Sequence, residues 1–259
     1  MTIKIKVYIK NFLKKHFPNF YEIIYILVFS IILRRKRVIT FQGWGLTSST
    51  ALPWWDDVKN ITSKKFIKSI KLLDEKVISK DFFLAQITNY YENTNFNEVF
   101  NHYKNLNYRN YVIHFSSLKA YNNTKSRNIA ECGSAEGLST FFCIQNYISD
   151  KNFKAFLYDS WQSIREKELL NEEDSKRQGN YDYLNIGIIK KNLKDYEKNL
   201  IFNKGFIPEV LDHKTTQNPE KISWLHIDLN SAFPTLKALE FFYPKVEKNG
   251  IILFDDYGH

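Results

Sequence analysis

From residue 128 onward the hydrophobic positions fall in short unbroken runs: NIAECG (128–133), FKAFLYD (153–159), NLIFNKG (199–205), SWLHIDL (223–229) and GIILFDD (250–256). Between most of them lie stretches with helical spacing, at residues 138–147, 183–193 and 234–246. Short apolar runs separated by helices predict an α/β fold, with five parallel strands covered by helices on both faces. Upstream, Phe66, Ile67, Ile70, Leu72 and Leu73, and then Tyr111, Val112, Phe115 and Leu118, recur at three-to-four spacing within residues 58–123. They predict an N-terminal helical region that covers another layer.

Three segments follow from this pattern: residues 1–40, a linker and helical cap over 41–127, and the sheet domain over 128–259. The break between the first two is GWGLTSSTALPWWDD (43–57), rich in turn formers. Within the first segment, residues 20–33 are mostly apolar, interrupted by Glu22 and flanked by Lys and Arg. That run is short for a bilayer span, and RRKR stands where a signal peptide would carry small residues. Two readings stay open: a monotopic anchor at an anionic membrane surface, or a helix packed on its own domain or on a partner.

Charge sharpens this division. The formal net charge is +9, but residues 1–40 carry nine Lys/Arg against Glu22, which leaves +1 for the rest of the chain. A groove for nucleic acid would spread positive charge over the folded domain, so nucleic acid is not the expected partner. Cys132 and Cys143 have no metal-ligand spacing and read as reduced core thiols, which points to a cytoplasmic protein, peripheral at the inner face of the membrane if the anchor holds.

In parallel sheets ligands bind beyond the carboxyl ends of the strands, so the residues that end each run carry the candidate chemistry. The first run ends in ECGSAEG, where Gly133 and Gly137 flank a strand-to-helix turn in a Glu-x-Gly-x-x-x-Gly pattern. Missing side chains there let a ligand approach the backbone, while an acid before the turn, Glu131, suits a cationic group rather than a phosphate. The second run ends at Asp159, 26 residues after Gly133. It is placed either to accept the ribose hydroxyls of a nucleoside or to cap the next helix. Asp228, Asp255 and Asp256 end the fourth and fifth runs, with Asn230 close behind. Adjacent strand ends bring such carboxylates together, and a positive partner such as Mg²⁺ would join them; the bland alternative is one helix cap and one solvated acid. His226, on an apolar strand, reads as a satisfied core histidine.

ECGSAEG, LYDSWQS, FNKGFIPEVL and HIDLNSAFPTLKALEFFYPKVEKNGIILFDDYG together resemble the class I S-adenosylmethionine-dependent methyltransferases, and within them the macrocin O-methyltransferase (TylF-like) family of sugar O-methyltransferases. The resemblance runs from about residue 128 to 259 and implies a Rossmann-like methyltransferase sheet. By it, Glu131, Gly133, Ser134 and Gly137 form the cofactor loop, and Asp159 and Ser160 hold the ribose. Asp228, Asp255 and Asp256 correspond to Mg²⁺ ligands, with Asp228 also the general base. It further implies S-adenosylmethionine as cofactor and, as acceptor, a sugar hydroxyl in a glycan, glycolipid or nucleotide-linked sugar.

Two departures qualify the resemblance. Asn230 stands where many members have a second acid. The family's sixth and seventh strands find no counterpart before His259, so either this is a truncated piece or the sheet edge is expected to need a partner, for which a homo-oligomer is one source. The alternative function is a non-catalytic cofactor-binding or interaction protein.

Overall fold

Strong β formers alternate on two buried faces in the stretch ISWLHI, which is buried throughout and forms the fourth of five parallel strands. The computed structural model describes residues 63–85, 107–165 and 181–255, all within one compact unit. The strands are β1 (Asn128–Cys132), β2 (Lys154–Asp159), β3 (Leu200–Lys204), β4 (Ile222–Ile227) and β5 (Val246–Phe254), in the order β3-β2-β1-β4-β5. The order reverses between β1 and β4, the place where an open parallel sheet leaves a crevice for a ligand.

Helices α1 (Lys64–Ile78), α2 (Asn107–Asn123), α3 (Leu138–Ile144), α4 (Ile186–Asn192) and α5 (Ala232–Phe242) complete the described elements, with short 3₁₀ turns at Lys194–Asn199 and Tyr243–Lys245. One apolar layer gathers Ile129, Leu157 and Trp224 of the sheet with Phe66 and Leu73 of α1, Ile113 of α2 and Phe141 and Phe142 of α3. The opposite face carries Ala130, Phe156, Tyr158, Leu225 and Ile227 against Ala238 and Phe242 of α5. The class and the strand order therefore agree with the α/β expectation. Cys132 and Cys143 are free and buried, and burial pushes both thiols well above their ordinary pKa.

Two expectations need correction. The stretch read as helix to residue 246 ends at Phe242, because Pro244 lacks the amide and the conformational freedom to continue it; β5 then begins at Val246, four residues early. On α2, the face read as covering the core is the wrong one. Phe115 is 49% exposed, whereas Asn110, His114, Ser116 and Ser117 are buried. Hydrogen bonds seat this helix beside the apolar contacts of Ile113 and Ala120: Asn146 Nδ2 donates to the His114 carbonyl and to Ser117 Oγ, each at 2.8 Å. Trp224 Nε1 donates to Ser116 Oγ at 3.0 Å. A helix face can be polar and buried where its groups meet partners in the layer below, as Ser116, Ser117 and the His114 carbonyl do here.

The anchor or packed helix over residues 20–33, the linker over 43–57, Asp256 and most of the 162–179 stretch lie outside the described residues. Among the described residues no helix is long and apolar enough to cross a membrane.

Candidate functional site

The carboxyl ends of β1, β2 and β4 open on a cavity lined by Gly133, Ala135, Asp159, Ser160, Asp228, Asn230 and Pro234, together with Tyr181, Leu184, Phe206 and Ile207. Backbone hydrogen bonds carry the sheet ladder past the strands and fix this rim. Gly133 N donates to the Tyr158 carbonyl and Asp228 N to the Cys132 carbonyl, both at 2.8 Å, and Asp255 N donates to the Ile227 carbonyl at 3.0 Å.

The glycine turn is built for the protein's own close packing. Gly133 has φ +87°, and a Cβ there would lie 1.7 Å from the Asp228 carbonyl oxygen. At Gly137, φ +89°, a Cβ would meet Ile189 Cγ1 and Leu193 Cδ1 at 2.9 Å. The space that the sequence reading reserved for a ligand is thus taken at both glycines by protein atoms. The backbone of Gly133 still lines the cavity, beside Ala135 and Asp159.

Asp159 ties the end of β2 to that turn. Its Oδ2 accepts from Ala135 N at 2.9 Å and its Oδ1 from Trp161 N at 2.6 Å. Trp161 Nε1 returns a bond to the Ala135 carbonyl at 2.9 Å. Burial raises the Asp159 pKa, and the amides that donate to its carboxylate work the other way. Each carboxylate oxygen has further lone pairs, and the group lines the cavity, so bracing the turn leaves it able to accept a hydroxyl. Ser160 lines the same cavity but its Oγ donates to the Gln162 carbonyl at 3.0 Å. Ser134 is buried and its hydroxyl points back to the Glu131 carbonyl at 3.4 Å.

Glu131 corrects the sequence reading more clearly, because its carboxylate is not among the groups lining the cavity. Glu131 is in register with His226 of β4, and His226 Nδ1 lies 2.7 Å from Glu131 Oε1 inside the sheet. Thr140 Oγ1 of α3 donates to the other oxygen. Side chains alternate along a strand, so the position two before Gly133 faces the covering helices rather than the strand-end opening. His226 is accordingly the satisfied core histidine that its apolar strand suggested.

Glu136, read from the sequence only as a spacer between glycines, is almost fully buried, and its Oε2 makes no hydrogen bond among the described residues. Burial pushes its pKa from 4.5 up to about 7. Between these values the folded chain holds a proton that the unfolded chain has released, so stability is lost as pH rises through this window. Glu136→Gln removes the cost of burying that charge. The variant is expected to melt several degrees above the wild type at pH 8, a gain of at most about 3 kcal/mol, and to match it near pH 4.5. Thermal melts across that range check this.

The acids at the ends of β4 and β5 do meet. Arg109 of α2 places Nη2 2.6 Å from Asp228 Oδ2 and 3.1 Å from Asp255 Oδ2. The three side chains are 13%, 17% and 5% exposed. Burial alone would lower the Arg109 pKa, but attraction to Asp255 and Asp228 outweighs it and holds the guanidinium above its ordinary value. Asn230, in the left-handed region at φ 54°, points its Nδ2 toward Asp228 Oδ1 at 3.4 Å. The positive partner that the sequence reading asked for is therefore a protein side chain. Among the described residues no group of three acidic, His or Cys side chains could hold a metal ion; Asp256, the third expected ligand, lies outside them, and Arg109 stands between the other two carboxylates. Arg109 went unnoticed in the sequence because nothing local links it to acids 119 and 146 residues away.

Residues 130–257 match the family model of a methyltransferase domain. No curated protein matches the sequence. The solved structure of the O-methyltransferase NovP is similar at a TM-score of 0.50 and 19% identity, over 57% of this chain and 64% of that one. The chain thus spans under two thirds of NovP, and the likeness is one of fold. CalS11, a calicheamicin methyltransferase, aligns at a TM-score of 0.47 and 16% identity, over 67% of this chain and 76% of that one.

Proposed function

We propose that this chain transfers a methyl group from S-adenosylmethionine to a hydroxyl of a sugar-containing acceptor: a glycan, a glycolipid or a nucleotide-linked sugar. The observation that carries the reading is the cavity's charge. Asp159 and Asp228 stand on its wall, and no Lys, Arg or His is among its lining residues. Such a wall disfavours phosphates and favours a cationic nucleoside, which describes a sulfonium cofactor. The matched methyltransferase domain supports the same cofactor. The likeness in fold to the O-methyltransferase NovP supports an oxygen acceptor, and the sequence resemblance to sugar O-methyltransferases narrows it to sugars.

When bound, S-adenosylmethionine supplies an electrophilic methyl on a sulfonium and leaves as the neutral thioether. Asp159 is the residue to accept ribose hydroxyls, with the backbone beside Gly133 and Ala135 as the floor of the site. Asp228 lines the cavity and takes the proton from the acceptor hydroxyl as that oxygen forms its new bond to carbon. Arg109 holds one Asp228 oxygen at 2.6 Å, which leaves the other to face the acceptor. The basic and apolar stretch over residues 1–40 supports a position at an anionic membrane surface, where lipid-linked acceptors would be met.

Calorimetry with S-adenosylhomocysteine tests the cofactor half of this reading. The wild-type chain is expected to bind, and Asp159→Ala to lose at least tenfold in affinity, the equivalent of about 1.4 kcal/mol. Folded protein that does not bind, or a variant that binds as well, would refute it. Turnover of tritiated S-adenosylmethionine against free, nucleotide-linked and lipid-linked sugars tests the acceptor half. Cofactor binding without transfer to any of them would favour the non-catalytic reading.

A further inference from the structure

We infer that Arg109 takes the position a divalent cation would need between Asp228 and Asp255, so that this site works as a guanidinium-bridged carboxylate pair and binds no metal. The inference rests on the methyltransferase reading for its catalytic meaning but not for its geometry. Arg109 Nη2 contacts both acids, at 2.6 and 3.1 Å, from a helix that packs over the sheet. A hard cation would have to share those same oxygens at roughly 2.1 Å and complete an octahedron of oxygen donors. Two cations cannot both sit that close in so buried a site, so metal entry requires Arg109 to leave. Leaving would separate a buried guanidinium from both carboxylates, a costly step for a buried ion pair.

The guanidinium already neutralises one of the two carboxylates, and Asn230, whose Nδ2 points to Asp228 Oδ1, carries no charge. The guanidinium also does what one metal ion would do for the base. It fixes the carboxylate plane of Asp228 by a charge-assisted bond and compensates the charge of Asp255 next to it. Arg109 is therefore a positioning residue, acting on the acceptor through Asp228. Arginine suits this bridging better than lysine would, because its planar fork presents several donors at fixed angles.

Binding of Mn²⁺ to the purified full-length chain, followed by the loss of the free-ion electron paramagnetic resonance signal, tests the inference. The wild type is expected to leave the signal intact at millimolar Mn²⁺, and its methyl transfer to be unchanged in excess EDTA. Arg109→Met, checked for folding by S-adenosylhomocysteine binding, is expected to acquire Mn²⁺ binding that Asp255→Asn in the same background abolishes. Wild-type protein that binds Mn²⁺ through Asp228, or that loses transfer in EDTA and regains it with Mg²⁺, overturns the inference. If Arg109→Met does not fold, the wild-type titration and the EDTA arm decide on their own. Failure of the methyltransferase reading shows separately, as absent cofactor binding by a wild type whose Mn²⁺ titration still reports on the bridge.

Discussion

Gly133→Ala is expected to lose S-adenosylhomocysteine binding and methyl transfer together, with a fall in stability of about 3 kcal/mol or more. The added methyl would stand 1.7 Å from the Asp228 carbonyl oxygen and 2.7 Å from its carbon. Neither atom belongs to a side chain that can rotate away. Relief requires the ends of β1 and β4 to separate, which breaks the bond from Asp228 N to the Cys132 carbonyl and moves the proposed base off its station. The backbone at φ +87° adds about 1–2 kcal/mol for any residue with a Cβ. Gly137→Ala shares that backbone cost, and its methyl meets side-chain atoms of the buried Ile189 and Leu193 rather than backbone. It should therefore lose about 2–3 kcal/mol of stability and keep cofactor binding. Thermal denaturation and calorimetry on the two variants check the contrast. Equal effects would show that backbone conformation, and not the approach of Asp228, sets the need for glycine at residue 133.

The contrast bears on what the sequence could reveal. The strands were legible because a buried parallel strand has to be apolar on both faces, and FLYD and SWLHI satisfy that over too few residues to be helices. The acids at the strand ends were legible for the same reason, since each interrupts such a run where it leaves the core. Partners were not legible. That Glu131 meets His226 is a matter of β1–β4 register, and one chain read alone does not encode register between strands so far apart. The buried face of α2 was misread because its buried Asn110–Ser117 side looks hydrophilic, while Phe115 looks like core. Arg109 left one faint mark: the chain has seven arginines against thirty lysines, so an arginine in a folded segment suggests a need for the guanidinium fork.

Asp228→Asn is expected to slow methyl transfer by about 10²–10⁴-fold, the usual contribution of a general base, with little change in S-adenosylhomocysteine affinity. The substitution preserves shape, and the main-chain contacts of residue 228 with Gly133 and Cys132 do not involve the side chain. Arg109 keeps Asp255 as counter-charge, so the variant should fold. What disappears is, among the described residues, the one carboxylate that both lines the cavity and touches Arg109. Asp255→Asn makes the informative comparison. Asp255 is not among the residues lining the cavity, and it reaches Arg109 at 3.1 Å, so its loss loosens the bridge without removing the base. Its rate should fall less than that of Asp228→Asn. Single-turnover transfer from tritiated cofactor separates the two, because it reads the chemical step apart from product release. An Asp228→Asn rate equal to wild type would remove this residue from the chemistry and send the search for a base to the segments outside the described residues, Asp256 first.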